Sequence, residues 1–266
     1  MLTCLLVTAW FAEPASPATA ASPAQPAPVP SAQALDRFLA EFVGKRDAIK
    51  YLKAPFSQVN TTPDERVSSS GRLVYAKPRR IVFRYETPEP SVCLIDGLRV
   101  FEYDVSLKQV QIFTLEDDPE TEGLYLGFES DLTRLQEAYE MELFTPGAEF
   151  PDTTGLVLRP KPRSGHDKAG LFERVHLYLR NKDLLPVRIY IVNDPESQVD
   201  IRIHDCVVNG PVDPRDTQLD LPEGVRIVED DVVVETVGAQ GKRIPEAIDV
   251  AAAPETQPAA KDQSRR

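Results

Sequence analysis

The chain has 266 residues, 42% of them hydrophobic and 27% charged, with a formal net charge of −12. That length allows one sizeable domain with tails. The acidic balance argues against nucleic acid, which needs clustered Lys and Arg to displace counterions, and against resting on an anionic membrane surface.

Met1 to Ala12 form an apolar stretch without a charged side chain, shorter than the ~20 residues that span a bilayer. With Ala18-Thr19-Ala20 behind it, this stretch reads as a secretory signal over residues 1–20, although the usual leading basic residues are missing. Residues 21–33 are mostly Ala, Pro and Ser and read as an extended linker; residues 240–266 read as a disordered tail. The folded domain is expected over residues 34–231. Signal cleavage would remove Cys4 and leave Cys93 and Cys206, either bonded to each other or as separate buried thiols.

Within the domain, Ser31 is a plausible N-cap, and Leu35, Phe38, Leu39, Phe42 and Val43 recur at helical spacing. The period then changes. Leu73 and Tyr75, Ile81 to Tyr85, Phe101 and Tyr103, and Val110 and Ile112 alternate with polar neighbours, as half-buried strands do. Lys77-Pro78-Arg79, Asp96-Gly97 and the stretch from Asp104 to Lys108 punctuate them as turns. Short connections make these strands an antiparallel meander. Phe83, Tyr85, Phe101, Tyr103 and Ile112 are expected on one face, which either packs against a second layer or lines a partly unfilled, concave surface.

Helical character returns over residues 119–140. Leu124, Leu126 and Phe128 come first, then Ser130-Asp131 as a cap, then Leu132, Leu135 and Tyr139 on one face. A second β run follows through Leu156 and Leu158, Val175 to Leu179, Val187 to Ile191, and Ile201 and Ile203. The last element expected is Leu219 to Val228, bent at Pro222-Glu223-Gly224. The fold class is therefore mainly β with helices (α+β), a large antiparallel sheet with helices on one side.

Chemistry is sparse. His166, His176 and His204 lack the tight local spacing of a zinc site, and no nucleophile elbow, P-loop or dinucleotide fingerprint occurs. Cys93 and Cys206 are expected within strands, not at a helix N-terminus where a thiolate is stabilised. The acidic run Glu116-Asp117-Asp118 reads as a solvated loop. No catalytic group, metal or cofactor is expected.

The motifs Pro55-Phe56-Ser57-Gln58, Gly71 to Tyr85 and Pro88-Glu89-Pro90 resemble the LolA family of outer-membrane lipoprotein carriers. The likeness continues through Ile95 to Asp104 and Lys108-Gln109-Val110, then Leu156 to Lys161 and Asp220 to Val225. No single piece is specific; the ordered set is. The resemblance implies an incomplete, strongly curved antiparallel β-barrel covered by a helical lid. It implies a non-enzymatic, monomeric periplasmic carrier of triacylated lipoproteins or other lipids. Its expected partners are an inner-membrane ATP-driven lipoprotein-releasing transporter and an outer-membrane receptor. By position, Leu73, Tyr75, Ile81, Phe83, Tyr85, Phe101, Tyr103 and Ile112 would bind acyl chains, and Leu35, Leu39, Leu124, Leu126 and Leu132 would form the lid. Well-studied members place an Arg before the Pro of the second strand turn to hold the lid. Here Lys77 stands there, a point charge without the planar donor fork, so Lys77 with Arg79 or Arg80 would form the latch. A lipid sensor or protein-interaction module on the same fold is the alternative.

Overall fold

The computed structural model describes residues 32–115, 125, 128, 132–162 and 172–245. Helix α1 (Ala32–Asp47) buries Leu39 and Phe42, with Leu35 and Phe38 half-buried beside them. Lys45 and Arg46 lie in its last turn, where positive charge meets the negative end of the helix dipole. Six strands follow: β1 (Tyr51–Thr61), β2 (Arg66–Ala76), β3 (Arg80–Thr87), β4 (Ser91–Asp96), β5 (Arg99–Asp104) and β6 (Gln109–Thr114). Each runs antiparallel to the one before it. A bulge breaks the β2–β3 register at Ser70 and Gly71, and there the backbone of Arg84 comes so close that only glycine fits.

Helix α2 (Leu132–Ala138) leads straight into β7 (Tyr139–Phe144). β8 (Thr153–Pro160), β9 (Arg174–Arg180), β10 (Pro186–Val192) and β11 (Gln198–Ile203) complete a second meander. β11 pairs with β1 and so fuses the two meanders, and β12 (Val207–Val208) pairs with the start of β1. After a 3₁₀ turn (Pro214–Thr217) come β13 (Leu219–Leu221), β14 (Arg226–Glu229), β15 (Val232–Thr236) and β16 (Lys242–Ile244). Ordered strands thus continue past residue 231, into the stretch expected as a tail. Among the described residues fourteen strands share one sheet, in the order β15-β14-β6-β5-β4-β3-β2-β1-β11-β10-β9-β8-β7 with β12 beside β1. The sheet does not close, and its one parallel pair in that order is β6 with β14.

One face of this sheet forms a single core. Leu52, Leu73 and Ile81 of the first meander pack in the same cluster as Leu158, Leu177 and Ile201 of the second, with Leu39 and Phe42 of α1 between them. α1 also touches β7, the far edge. A sheet achieves this only by curling around the helix, so the helix-covered face is the concave one.

The convex face is treated differently along its length. Behind the first meander, Val74, Val82, Leu94, Phe101 and Val110 pack against Leu219, Leu221, Val225 and Ile227 of the C-terminal segment. Polar ties hold that segment in place. Arg80 donates to Asp96 at 2.9 Å and to the Thr217 carbonyl at 3.4 Å, and Arg84 donates to the carbonyls of Arg215 and Gln218. Asp216 accepts from Tyr51 at 3.0 Å and Lys53 at 2.8 Å. Behind the second meander the outer side chains alternate with the core and most stay partly exposed, Phe144, Val157 and Val192 being buried. There Arg188 lies within 5.3 Å of the ring centres of Phe150, Tyr178 and Tyr190 and clasps Asp200 through two bonds of 2.7 and 3.0 Å.

Candidate functional site

Strand registers put the concave side chains of the first meander into rows. Tyr75, Ile81, Ile95, Val100 and Phe113 make one row. Leu73, Phe83, Cys93, Glu102 and Gln111 make the next, and Gly71, Tyr85, Ser91, Asp104 and Gln109 the third. Concave side chains of β1 continue the progression: Leu52, Ala54 and Phe56 are apolar, whereas Gln58 and Asn60 are polar and buried. The face therefore grades from apolar, but for the Tyr75 phenol, to polar along the strands.

Aromatic rings concentrate in the middle of that gradient. Phe56 meets Phe83 edge-on at 5.3 Å and Tyr85 at 5.2 Å, while Phe83 and Tyr85 stack at 6.4 Å. Phe56 is buried; Phe83, Tyr85 and Phe113 remain partly exposed. Tyr85 Oη donates to Gln58 Oε1 at 3.0 Å, and Gln58 Nε2 donates to Asn60 Oδ1 at 2.8 Å. Among the described residues no hydrogen-bond partner meets the buried Asn60 Nδ2 and Glu102 Oε1. Burial holds the Tyr85 phenol well above its usual range and pushes the Glu102 carboxyl up to about 7.

The apolar end of the face is also the end where α1 is pinned. Arg46, 2% exposed, donates to the carbonyls of Asp183 and Leu184 in the β9–β10 turn, and its guanidinium lies 4.6 Å from the centre of the Phe42 ring. Burial pushes its pKa down to about 10, against the pull of Asp183. Lys45 donates to the Lys182 carbonyl at 3.2 Å. From the other side Lys77 donates to the Asp47 carbonyl at 3.3 Å and pairs with its carboxylate at 3.5 Å. Asn209 completes the fastening: it donates to the Ala48 carbonyl and accepts from the Lys50 and Tyr51 amides. No comparable set of ties fixes the Leu35–Phe38 half of the helix among the described residues.

The residues expected to share one face divide between two. Leu73, Tyr75, Ile81, Phe83 and Tyr85 lie on the concave side with α1. Phe101, Tyr103 and Ile112 lie on the convex side under the C-terminal segment. The reason is register: the tight turn at Gly97 and Leu98 pairs Ile95 with Val100, so Val100 and Glu102 point inward and Phe101 and Tyr103 outward. Of the expected lid residues, Leu39 is buried, and Leu35 and Leu132 are half-buried against the concave core. Leu124 and Leu126 lie outside the described residues, as do Ser31, His166 and Glu116.

Lys77 reaches the end of α1 at Asp47. Arg79 instead stacks over Tyr125 at 4.2 Å, and Arg80 serves the convex face. Cys206 is a free thiol in the bend after β11, outside any strand, so it is not bonded to Cys93. No metal-binding group of side chains occurs among the described residues. His176 points outward against Phe144 and Tyr190, and burial pushes its pKa down to about 4, helped by Arg174, Arg159 and Arg188.

Three concave residues, Gln58, Asn60 and Glu102, escaped the sequence reading. A signal was present for Gln58 and Asn60, which continue the inward parity of Leu52, Ala54 and Phe56, but not for Glu102, whose parity is decided by the Gly97–Leu98 turn.

The profile of the family described as outer membrane lipoprotein carrier protein LolA matches residues 47–216. An outer-membrane lipoprotein carrier protein of Alkalilimnicola ehrlichii is 26% identical over 208 residues, covering 76% of this chain and 87% of that protein. A protein of the same description from Methylibium petroleiphilum is 35% identical over 168 residues, 62% of this chain and 77% of its own length. Among solved structures, a LolA superfamily protein from Nitrosomonas europaea is similar with a TM-score of 0.35 and 11% identity, over 65% of this chain and 94% of its own.

Proposed function

Because this chain belongs to the LolA family of outer-membrane lipoprotein carrier proteins, we propose that it binds the acyl chains of lipoproteins on its concave face and carries them across the periplasm. One observation carries the reading. The concave face presents partly exposed Phe83, Tyr85 and Phe113 beneath a helix that is fastened at one end, next to a fully buried apolar wall.

Physical chemistry makes such a surface useful. Each buried CH₂ is worth about 0.8 kcal/mol, so a free acylated protein aggregates or returns to a membrane. A carrier must cover those methylenes yet release them, so its cover must open at modest cost. Pinning α1 at Arg46 and Lys77 while leaving Leu35 and Phe38 half-buried provides a hinged cover of this kind. The acidic surface suits a protein that must leave anionic membranes. In this reading no bond is broken. The cargo arrives from an inner-membrane ATP-driven transporter and leaves to an outer-membrane receptor.

The test is displacement. Protein loaded with an apolar fluorescent dye is titrated with a triacylated lipopeptide and, separately, with the same peptide lacking acyl chains. Displacement by the acylated form alone is expected. Equal displacement by both, or no dye uptake, would mean that the concave face is a filled core.

A further inference from the structure

The concave face carries two features that covering hydrocarbon does not explain. One is the gradient from the mainly apolar Tyr75–Phe113 row at the pinned end of α1 to polar side chains at the opposite end. The other is the chain of hydrogen bonds from Tyr85 through Gln58 to Asn60, which ends in a buried donor, Asn60 Nδ2, with no partner among the described residues. Asn60 is 6% exposed and Gln58 1%. A buried donor without a partner costs free energy in the empty protein, and an acceptor supplied by a ligand recovers it.

Resting on the carrier reading, we propose that this face orients its cargo. The acyl chains point their methyl ends toward the Tyr75–Phe113 row, and the Tyr85-Gln58-Asn60 relay binds the ester or amide carbonyls that join those chains to the head of the molecule. The geometry follows from the rows. Phe56, Phe83 and Leu73 lie between the two ends and cover the upper methylenes. Asn60 lies one residue from the end of β1, so a head group held there leaves past the Thr61–Arg66 connection, away from the pinned end of the helix.

The experiment compares the parent protein with the triple variant Gln58→Leu/Asn60→Leu/Tyr85→Phe, which removes the whole relay and leaves no half-satisfied partner within it. Three probes are titrated: anilinonaphthalene sulfonate, which has no acyl linkage, a triacylated lipopeptide and a diacyl phospholipid. The variant is expected to melt no lower than the parent, because an incompletely satisfied buried network is replaced by apolar groups. It should bind the dye within twofold of the parent and the lipopeptide about tenfold more weakly. A parallel loss for the phospholipid identifies the ester as the recognised group; loss for the lipopeptide alone identifies its amide. An unchanged ratio of lipopeptide to dye affinity overturns the orientation and leaves the carrier reading standing. Failure of the parent protein to bind any of the three overturns both.

Discussion

Phe83 and Phe101 look alike in sequence, yet they stand on opposite faces of the sheet, so replacing each by Ala should separate binding from stability. Phe101 is 1% exposed, packed under the C-terminal segment with the Arg99 guanidinium 5.0 Å from its ring centre. Truncating a fully buried Phe costs about 3–5 kcal/mol. For a domain of this size that lowers the melting temperature on the order of 10 °C. Phe83 is only partly buried, and its main fixed contact is the edge-on pair with Phe56 at 5.3 Å. Its loss should cost about 1–2 kcal/mol of stability. If its ring covers two or three methylenes of cargo, binding weakens by about 2 kcal/mol, or roughly thirtyfold. The assay is thermal melting of both variants, followed by lipopeptide displacement of dye at a temperature where each remains folded. Phe101→Ala should bind as the parent does once folded. Equal loss of affinity in both variants would refute the division of the two faces.

Three further outcomes follow from the same structure. Gly71→Ala places a methyl group 1.9 Å from the Arg84 carbonyl oxygen, so the β2–β3 bulge must open; a loss of about 3 kcal/mol or more is expected in chemical denaturation. Arg46→Ala strands the Asp183 and Leu184 carbonyls and should cost about 2–4 kcal/mol, whereas Lys77→Ala, whose partner Asp47 is exposed, should cost under about 1 kcal/mol; hydrogen exchange in the last turn of α1 ranks the two. His176 titrates at about 4 in the folded chain against an ordinary 6.5, so the unfolded chain binds more protons between those values. Stability should therefore be fully present above about pH 6.5 and fall on acidification toward pH 4. His176→Phe should remove about 1–2 kcal/mol of that fall after solvent screening is allowed for, and an unchanged pH profile would contradict the assignment.

Much of the architecture was legible because alternation fixes strands locally. The second meander is the clearest case: Val175, Leu177 and Leu179 point inward while His176 and Tyr178 point outward, as the pattern says. The first meander misled for a physical reason. Its strands are buried on both faces, so Leu73 to Ala76, Ile81 to Phe83 and Val92 to Ile95 are nearly continuous apolar runs, and such runs do not reveal which parity faces the helix. Phe101 and Tyr103 were drawn to the wrong face because only the Gly97–Leu98 turn, a long-range register device, decides it. Likewise, Tyr139 continues a helical stripe in sequence but opens β7, because Tyr139 and Met141 find partners in β8. The polar end of the concave face was visible only as isolated Gln and Asn residues in β1, and nothing local says that these are buried together.

The central claim is that the face under α1, and not the face under the C-terminal segment, takes the acyl chains. A lipopeptide carrying a photoreactive diazirine on an acyl chain tests it through crosslinks to the side chains it touches. Crosslinks are expected at Leu73, Phe83 and Tyr85 and not at Val82, Phe101 or Tyr103. Crosslinks to the second set, or to neither, would contradict it.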